Sequence, residues 1–310
     1  MTNKNYPSVS VVIPTYNHAD FLKRAVRSVL DQTYQDFEII IIDNNSNDHT
    51  NEVVAGFDDD RINLHKINNK GVIAASRNLG VDKADGIWIA YLDSDDYWYP
   101  TRLEKLAVYF TKHSQYDVLS THEYKRNKST GKKTKLMYGP LAGNKYRSLL
   151  LYGNRLSPSA SVIRKSFLLE NGIAFNESTD FITVEDYDYW LQLAMLDASF
   201  KFIHCFEGEY LVHGANSSGF IEIHKRNELN LMKHHIFNVQ TFEPDKDKLW
   251  RQIDSVISIR DGFHVLKTGI SYSVISFLLR TAISSPYHVG KWLFYKLIYS
   301  VKNHLHSLKF

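Results

Sequence analysis

Three carboxylates stand within four residues, directly after an apolar segment. Asp93, Asp95 and Asp96 follow residues 87–92, all of which are hydrophobic. Carboxylates this close raise one another's pKa unless a cation compensates their charge. Mg²⁺ and Mn²⁺ prefer oxygen ligands, and Mg²⁺ is commonly bound by one or two carboxylates together with substrate phosphates. On spacing alone, two interpretations have equal weight. The cluster could be a site for a metal ion that binds a diphosphate, or it could be an acidic loop that caps the helix after Pro100.

Three other polar positions could take part in chemistry, and each has a plainer alternative. Asp43 ends an isoleucine-rich run and opens a loop of Asn and Ser, where a carboxylate could accept hydrogen bonds from a nucleobase or ribose. Glu185 and Asp186 form a second acidic pair, although acids at a helix start ordinarily complement the helix dipole. His213 could bind a metal or a phosphate, but a lone histidine is more often structural or exposed. Taken singly, these signals do not define a site.

The first third of the chain has the pattern of a parallel sheet covered by helices. Short apolar runs predict buried strands at residues 9–13, 37–42, 62–67 and 87–92. The segments between them predict helices at residues 21–30, 49–55 and 72–84. Near-continuous apolar strands that alternate with helices indicate an α/β domain with a mostly parallel central sheet. The carboxyl ends of such strands share one edge, where ligands bind.

The rest of the chain continues this domain and then becomes mainly helical. The patterns predict a helix at residues 101–112, a strand near 117–121, an exposed lysine-rich hairpin at 124–138, a helix at 186–196, short strands at 200–204 and 209–213, and helices from residue 221. The simplest explanation for the lysines of this hairpin is that it is a solvent-exposed surface ribbon. We therefore expect an α/β domain at residues 1–220, with halves at about 1–121 and 122–220, and a helical extension at 221–310.

The composition is that of a globular protein. The chain has 310 residues, of which 44% are hydrophobic, and a formal net charge of +3. It has one cysteine, no apolar leader at its start and no apolar run long enough to span a bilayer, so we expect a cytoplasmic location.

NAD or FAD binding by a Rossmann fingerprint is excluded, as is a Walker A loop, because no glycine-rich loop follows the first strand.

The end of the chain is basic and suggests a partner. Residues 262–310 contain six Lys or Arg and no Asp or Glu. Residues 291–310 carry one apolar stripe with basic flanks. Such a helix could lie peripherally on an anionic membrane at the inner face of the plasma membrane, or it could pack on the α/β domain or on a second subunit. Nucleic acid is not an expected partner, since the sequence pI is about 8.6 and no recognition motif accompanies the charge.

Taken together, five segments resemble glycosyltransferase family 2, the inverting enzymes of the GT-A fold. They are Pro-Thr-Tyr-Asn at 14–17, the loop at 43–48, the glycine-bounded segment at 71–80, Asp-Ser-Asp at 93–95 and Glu-Asp at 185–186. The resemblance extends over roughly residues 8–218. Asn44 and Asn45 replace the family's usual Asp and Gly, and one extra residue precedes Arg77. The resemblance implies a GT-A nucleotide-diphospho-sugar transferase fold with a helical C-terminal extension.

The resemblance also implies roles for particular residues. Asp186 would be the catalytic base, and Asp95 would bind a divalent metal, Mn²⁺ or Mg²⁺. His213 would join the metal site, since residues 213–217 are similar to a His-x-x-x-Ser segment that closes over the diphosphate in some members. The nucleotide-sugar would be held by Pro14, Thr15, Tyr16, Asn17, Asp43, Arg77, Asp93 and Ser94.

The implied activity is transfer of a hexose with inversion from a nucleotide-diphosphate sugar, with UDP expected as the carrier. The acceptor would be a saccharide or lipid-linked saccharide in the synthesis of a cell-surface polysaccharide. The alternative is a non-catalytic, glycosyltransferase-like module that binds a nucleotide or saccharide. Retention of Asp43, Asp93, Asp95 and Asp186 together argues against that alternative. A nucleotidyltransferase is disfavoured because it would normally have a glycine-rich phosphate loop near the N-terminus.

Overall fold

The apolar runs form the strands of one sheet in a computed structural model that describes residues 8–112, 115–214, 221–268 and 290. The strands are β1 (Val9–Thr15), β2 (Phe37–Asp43), β3 (Ile62–Lys66), β4 (Trp88–Tyr91), β5 (Tyr97–Trp98), β6 (Val118–Asn127), β7 (Lys133–Leu136), β8 (Ser161–Arg164) and β9 (Phe200–Val212). The helices are α1 (Ala19–Leu30), α2 (Thr50–Ala55), α3 (Ile73–Lys83), α4 (Arg102–Lys112), α5 (Lys145–Tyr152), α6 (Lys165–Asn171), α7 (Glu185–Met195), α8 (Ile221–His234) and α9 (Lys246–Thr268). The strands and helices predicted in the first hundred residues are all present.

The described strands lie in the order β3-β2-β1-β4-β8-β6-β9-β5, with β7 paired to β6. The first half of the sheet is parallel, since β2 lies between β1 and β3, and β1 also pairs with β4. In the second half, β8 runs antiparallel between β4 and β6, whereas β6 and β9 are parallel. The antiparallel β6–β7 pair follows from its short connection, because neighbouring parallel strands need a longer crossover.

Burial follows the predicted apolar faces. Every residue of β1 is buried, and the four isoleucines of β2 are fully enclosed. The buried apolar stripe of α1 consists of Ala19, Leu22, Ala25, Val26 and Val29. Helix α3 lies so close to β1 that a Cβ atom at Gly80 would overlap the side chain of Val12. This close approach explains why the segment at 71–80 ends in glycine.

Two predicted strands form a single strand. The sequence predicts separate strands at 200–204 and 209–213, but β9 is continuous over this region. Its pairing with β6 shifts register twice, between Ser120 and His122 and between His122 and Tyr124. Such bulges bend a strand without ending it, which accounts for the interrupted apolar pattern. The hairpin predicted at 124–138 is formed by β6 and β7.

Contacts divide the chain into two compact units. One consists of the chain as far as Tyr146 together with Arg155–Asn227, and it holds the nine described strands. The other consists of Arg147–Asn154 and the chain from Glu228. Within this second unit, Arg260 makes a two-point ion pair with Glu228. The functional boundary expected between residues 220 and 221 stays a prediction.

Among the described residues, none of the helices combines the length and hydropathy that crossing a membrane requires. The amphipathic helix predicted at residues 291–310 lies outside the described residues, as does most of the basic region at 262–310.

Candidate active site

A cavity of about 420 Å³ lies at the carboxyl ends of β1 and β4. Seven residues predicted to bind the nucleotide, the sugar or a metal line it, namely Pro14, Thr15, Tyr16, Arg77, Asp93, Ser94 and Asp95. The other predicted site residues, Asn17, Asp43, Asp186 and His213, are not part of this lining. The loops that follow two neighbouring parallel strands therefore meet at one edge of the sheet, as the strand order requires.

Asp43 ends β2, directly before the cavity residue Asn44, and has one carboxylate oxygen in use and one unpaired. The side chain is fully buried at the end of β2, and its Oδ1 accepts the N–H of Ser46 at 3.0 Å. Its Oδ2 has no hydrogen-bond partner among the described residues, and the same is true of the Oγ1 of Thr15. These two residues are directly paired between β1 and β2. Buried polar atoms without partners are costly, so this pair favours a ligand that supplies hydrogen bonds.

Asn17 connects two loops instead of lining the cavity. It adopts a φ of +51°, which asparagine tolerates better than most residues. Its Oδ1 accepts the N–H of Asn47 and its own N–H donates to the Oγ of Ser46, both at 2.9 Å. In the same loop, Asp48 accepts the first N–H of α1 at 3.0 Å and that of α2 at 3.1 Å. Asp48 therefore caps both helices.

Arg77 connects the two acidic motifs. Its guanidinium donates to Asp93 Oδ1 and to Glu185 Oε1, each at 2.8 Å, and its side chain is only 3% exposed. The same group lies over the ring of Phe175, with its centre 5.2 Å from the ring centroid. Burial lowers the pKa of Arg77, but Asp93 and Glu185 raise it by more, so the net shift is upward. Arg77 is thus a permanently charged bridge between the loop after β4 and the start of α7.

Asp95 pairs with His213 at the edge of the cavity. Its Oδ2 lies 2.9 Å from His213 Nε2, and the imidazole stacks on Phe21 with centroids 4.7 Å apart. Arg24 of α1 donates to the backbone carbonyl of Asp95 at 3.1 Å. Burial and the nearby Asp93 raise the pKa of Asp95, although His213 opposes this shift. A cation bound next to Asp95 would therefore stabilise the ionised form of this carboxylate.

Asp96, the third acid of the cluster, has a structural role. It is almost completely buried, its Oδ2 accepts the hydroxyl of Ser159 at 2.6 Å, and its Oδ1 accepts the N–H of Leu211 at 3.0 Å. Burial and the nearby Asp95 hold the pKa of Asp96 well above its usual range. Asp96 therefore attaches the acidic loop to β9 and to the turn before β8.

The residues at the cavity fit a divalent metal ion that is coordinated partly by the protein and partly by a substrate. Among the described residues, no group of three or more His, Cys, Asp or Glu side chains is arranged to hold a metal alone. Asp95 and His213 could supply two ligands. Mg²⁺ commonly takes one or two carboxylates and completes its coordination with substrate phosphates and water. The donor set fits an ion that binds together with a diphosphate.

Asp186 lies in the first turn of α7, directly after Glu185. Its Oδ1 accepts the N–H of Tyr187 at 2.7 Å. Burial and the adjacent Glu185 raise the pKa of Asp186 to about 7, against an opposing effect of Arg77. A general base works best when its pKa is close to the operating pH. The environment of Asp186 thus suits proton abstraction near neutrality.

Several residues of the cavity are absent from the sequence prediction. His18, one position after the predicted loop, has its Nδ1 3.1 Å from the Oγ of Ser94. Asn69 donates to the Oγ of Ser76 at 2.7 Å. These two could have been found from their loops, because both follow parallel strands at the ligand-binding edge. Tyr210 carries no such signal, since it enters the cavity from a strand of the second half of the sheet.

The model of the family described as Glycosyl transferase family 2 matches residues 10–170, more than half of the chain. The chain belongs to this family of glycosyltransferases, as the five sequence segments predicted. The match includes nine of the eleven predicted site residues, among them Asp43, Arg77, Asp93 and Asp95. Asp186 and His213 lie beyond it.

Related proteins agree with this assignment. The Escherichia coli protein WfaP, a UDP-Glc:alpha-D-GlcNAc-diphosphoundecaprenol beta-1,3-glucosyltransferase, is 29% identical over 210 residues, which cover 68% of this chain and 79% of WfaP. TarS 1-349 of S. aureus in complex with UDP-GlcNAc has a TM-score of 0.65 and 20% identity over 88% of this chain and 79% of TarS 1-349. The mannosyltransferase PcManGT of Pyrobaculum calidifontis, solved with GDP-Man and Mn²⁺, has a TM-score of 0.60 and 16% identity over 97% of this chain and 88% of PcManGT. These similarities confirm the predicted GT-A type α/β fold.

Proposed function

We propose that this protein is an inverting hexosyltransferase that uses a UDP-sugar and a saccharide or lipid-linked saccharide acceptor in the synthesis of a cell-surface polysaccharide. The observation that carries the proposal is the bridge made by Arg77. Within one cavity, it joins Asp93 of the donor-side loop to Glu185 at the start of α7. A donor bound at the loop would therefore lie beside an acceptor activated from α7.

A uracil base suits the end of the cavity near β2. Uracil offers one N–H donor between two carbonyl acceptors, and the unpaired Oδ2 of Asp43 and hydroxyl of Thr15 are complementary groups. Pro14 and Tyr16 would border the base, while Asp93 and Ser94 would contact the ribose and diphosphate. The UDP-GlcNAc in the TarS structure and the UDP-Glc in the name of WfaP support this choice of nucleotide.

Asp95 and His213 are the residues that would hold Mn²⁺ or Mg²⁺. When bound, the ion would act as a Lewis acid toward the negative charge that develops on the departing diphosphate. His213 is held for this role by its stacking on Phe21, and Arg24 fixes the backbone of Asp95. The Mn²⁺ in the PcManGT structure supports a divalent ion in this fold.

Transfer would take place in a single displacement. The Asp186 carboxylate would remove the proton from the acceptor hydroxyl while its oxygen attacks the anomeric carbon of the sugar. The bond from that carbon to the diphosphate would break on the opposite face, so the configuration inverts and no covalent sugar–enzyme intermediate forms. Arg77 would keep the base helix and the donor loop in register during this step. Holding two reactants in line in this way removes much of the entropic barrier of a bimolecular reaction.

The chemistry of the acceptor bears on the cellular location. The diphosphoundecaprenol acceptor in the name of WfaP supports a lipid-linked saccharide. Such an acceptor would place the enzyme at the cytoplasmic face of the membrane. The basic region at 262–310 would then contact anionic lipids, or would form a homo-oligomer contact if it packs on a second subunit.

Donor binding tests the proposal directly. UDP with Mn²⁺ should raise the apparent stability of the protein by about 2.7 kcal/mol at a hundredfold excess over Kd, measured by thermal shift or calorimetry. GDP, CDP and TDP should give smaller effects. Asp95→Ala should weaken Mn²⁺-dependent UDP binding by about 10- to 100-fold, the loss seen even when only supporting residues of a metal site are removed.

The exposed residue Asp82 gives a matched control for this experiment. Asp82→Ala should bind UDP and Mn²⁺ as the unchanged protein does. Undiminished Mn²⁺-dependent binding by Asp95→Ala would refute the metal assignment. No response to any nucleotide in the unchanged protein would refute the transferase proposal and favour the saccharide-binding module.

The pKa of Asp186 leads to a pH prediction. Because its pKa is raised to about 7 and the base must be unprotonated, kcat/KM should rise about tenfold per pH unit below pH 7 and level off above it. Initial rates of UDP release from pH 5 to 9 would measure this profile. A plateau that extends down to pH 5 would show that another group accepts the proton.

A further inference from the structure

Thr183 has a backbone conformation that is unfavourable for its side chain. It has a φ of +72° and is the β-branched residue among the described non-glycine residues with positive φ. Branching at Cβ makes this left-handed conformation a real outlier, and such outliers persist only where the surroundings enforce them. Thr183 lines the cavity and stands three residues before Asp186. The strain is therefore located at the start of the helix that carries the proposed base.

Two side chains of α8 hold this segment. His224 Nδ1 lies 3.1 Å from the carbonyl oxygen of Thr183 and 3.2 Å from its hydroxyl. Because a carbonyl oxygen only accepts hydrogen bonds, Nδ1 must carry the hydrogen in this contact. Asn227, one helical turn later and fully buried, donates to the carbonyl of Ile182 at 2.8 Å. Two consecutive carbonyls are thus fixed from one face of α8.

The segment also continues directly into α7. The N–H of Val184 donates to the backbone carbonyl of Phe181 at 3.0 Å, and the N–H of Asp188 donates to the backbone carbonyl of Val184 at 3.1 Å. No free loop separates the strained residue from the first turn of the helix. A change of φ at Thr183 would therefore rotate the peptide groups that lead into Glu185 and Asp186.

We infer that His224 and Asn227 are positioning residues, which hold Thr183 in the left-handed conformation and thereby set the position of the Asp186 carboxylate in the first turn of α7, beside the cavity residue Glu185. This inference rests on the proposed function, because it assigns the effect to the catalytic base. Without the two hydrogen bonds, Thr183 would relax to a negative φ, and Asp186 would lose its alignment with the acceptor hydroxyl. The residues of β1 and β2 proposed to bind the nucleotide lie outside the segment that would move.

Substitutions at His224 separate its hydrogen bond from its bulk. His224→Phe keeps a ring but removes the donor, so kcat should fall about 10- to 100-fold, as expected for a small misplacement of a reacting group. The KM for the UDP-sugar should change less than about twofold, since Asp43 and Asp93 are untouched. His224→Asn places an amide N–H near the position of Nδ1, and it should retain most of the wild-type kcat.

A second substitution tests the strain itself. Glycine adopts positive φ without a Cβ penalty, so Thr183→Gly needs less support from α8. The double variant with His224→Phe and Thr183→Gly should therefore recover at least about tenfold in kcat over His224→Phe alone. Thr183→Ser, which keeps a side chain at this position, should not rescue. If His224 only supported the fold, glycine at position 183 would not restore kcat.

Hydrogen exchange of the full-length chain provides a measurement that does not depend on turnover. Amides at residues 181–187 should exchange faster in His224→Phe than in the wild type and should return toward wild-type rates in His224→Asn. Unchanged exchange in His224→Phe, or a double variant no more active than His224→Phe, would overturn the inference. Absence of sugar transfer by the wild type would instead refute the proposed function, while the exchange result would still decide whether α8 holds this segment.

Discussion

Asp186→Asn is expected to lower kcat by about 10²- to 10⁴-fold, the usual contribution of a general base. Asparagine has nearly the same shape as aspartate but cannot accept the proton of the acceptor hydroxyl. UDP affinity should stay within about twofold of the wild-type value, because Asp186 is not among the residues proposed to bind the nucleotide. Steady-state rates and calorimetric titration with UDP and Mn²⁺ would measure the two effects separately.

A stability measurement on the same variant would exclude misfolding as the cause. Burial and Glu185 raise the pKa of Asp186 from 3.8 to about 7, so the native state binds its proton more tightly than the unfolded state does. Stability therefore declines as the pH rises from about 4 to 7, and ionised Asp186 is unfavourable above that window. Asp186→Asn removes this cost and should be more stable than the wild type at pH 8. Asp180→Asn, on an exposed neighbouring turn, serves as the matched control and should keep full activity.

Near-normal turnover by Asp186→Asn would place the base elsewhere. Glu185 would be the next candidate, because it lines the cavity and its Oε2 is buried without a hydrogen-bond partner among the described residues.

Arg77→Met is expected to cause the largest loss of stability, about 3–5 kcal/mol in the free energy of unfolding. The substitution keeps an apolar chain of similar length but leaves Asp93 and Glu185 without their shared cation. Removing one partner of a buried ion pair is costly because the remaining charge stays buried and uncompensated. Chemical denaturation at pH 7, followed by circular dichroism, would measure the loss.

Two further variants make this test specific. Arg61→Met breaks an ion pair with Asp59 that is nearer the surface, and it should cost only about 1 kcal/mol. Adding Glu185→Gln to Arg77→Met should recover part of the loss, since one unpaired buried charge is then removed. A loss below about 1 kcal/mol for Arg77→Met would show that the bridge is not a stabilising element.

Much of the α/β fold could be predicted from the sequence. The apolar runs that became β1, β2 and β4 are short, β-branched or aromatic, and followed by polar loops, so both their structure and the edge at which their loops meet follow from local patterns. The continuous course of β9 could not be predicted in this way, because its bulges depend on pairing with β6, a strand that ends more than seventy residues earlier.

Sequence patterns identified the candidate acids, whereas the contacts of each acid depend on the tertiary structure. Residue order and spacing were sufficient to indicate the family and to select Asp43, Asp93, Asp95 and Asp186. They did not distinguish the roles of the three acids in the cluster at 93–96. In the folded chain, Asp93 pairs with Arg77, Asp95 pairs with His213, and Asp96 accepts a hydrogen bond from Ser159. Those partners come from separate parts of the chain, up to 118 residues away.

The sequence by itself therefore determined the elements, the ligand-binding edge and the residue types available there. Only the tertiary structure decided the ionisation of Asp186, the strained conformation of Thr183 and the bridge at Arg77. The physical reason is one of range. Strand and helix patterns arise from neighbours within a few residues, whereas the pKa of a carboxylate or the φ of a strained residue depends on burial and on contacts from segments that only folding brings together.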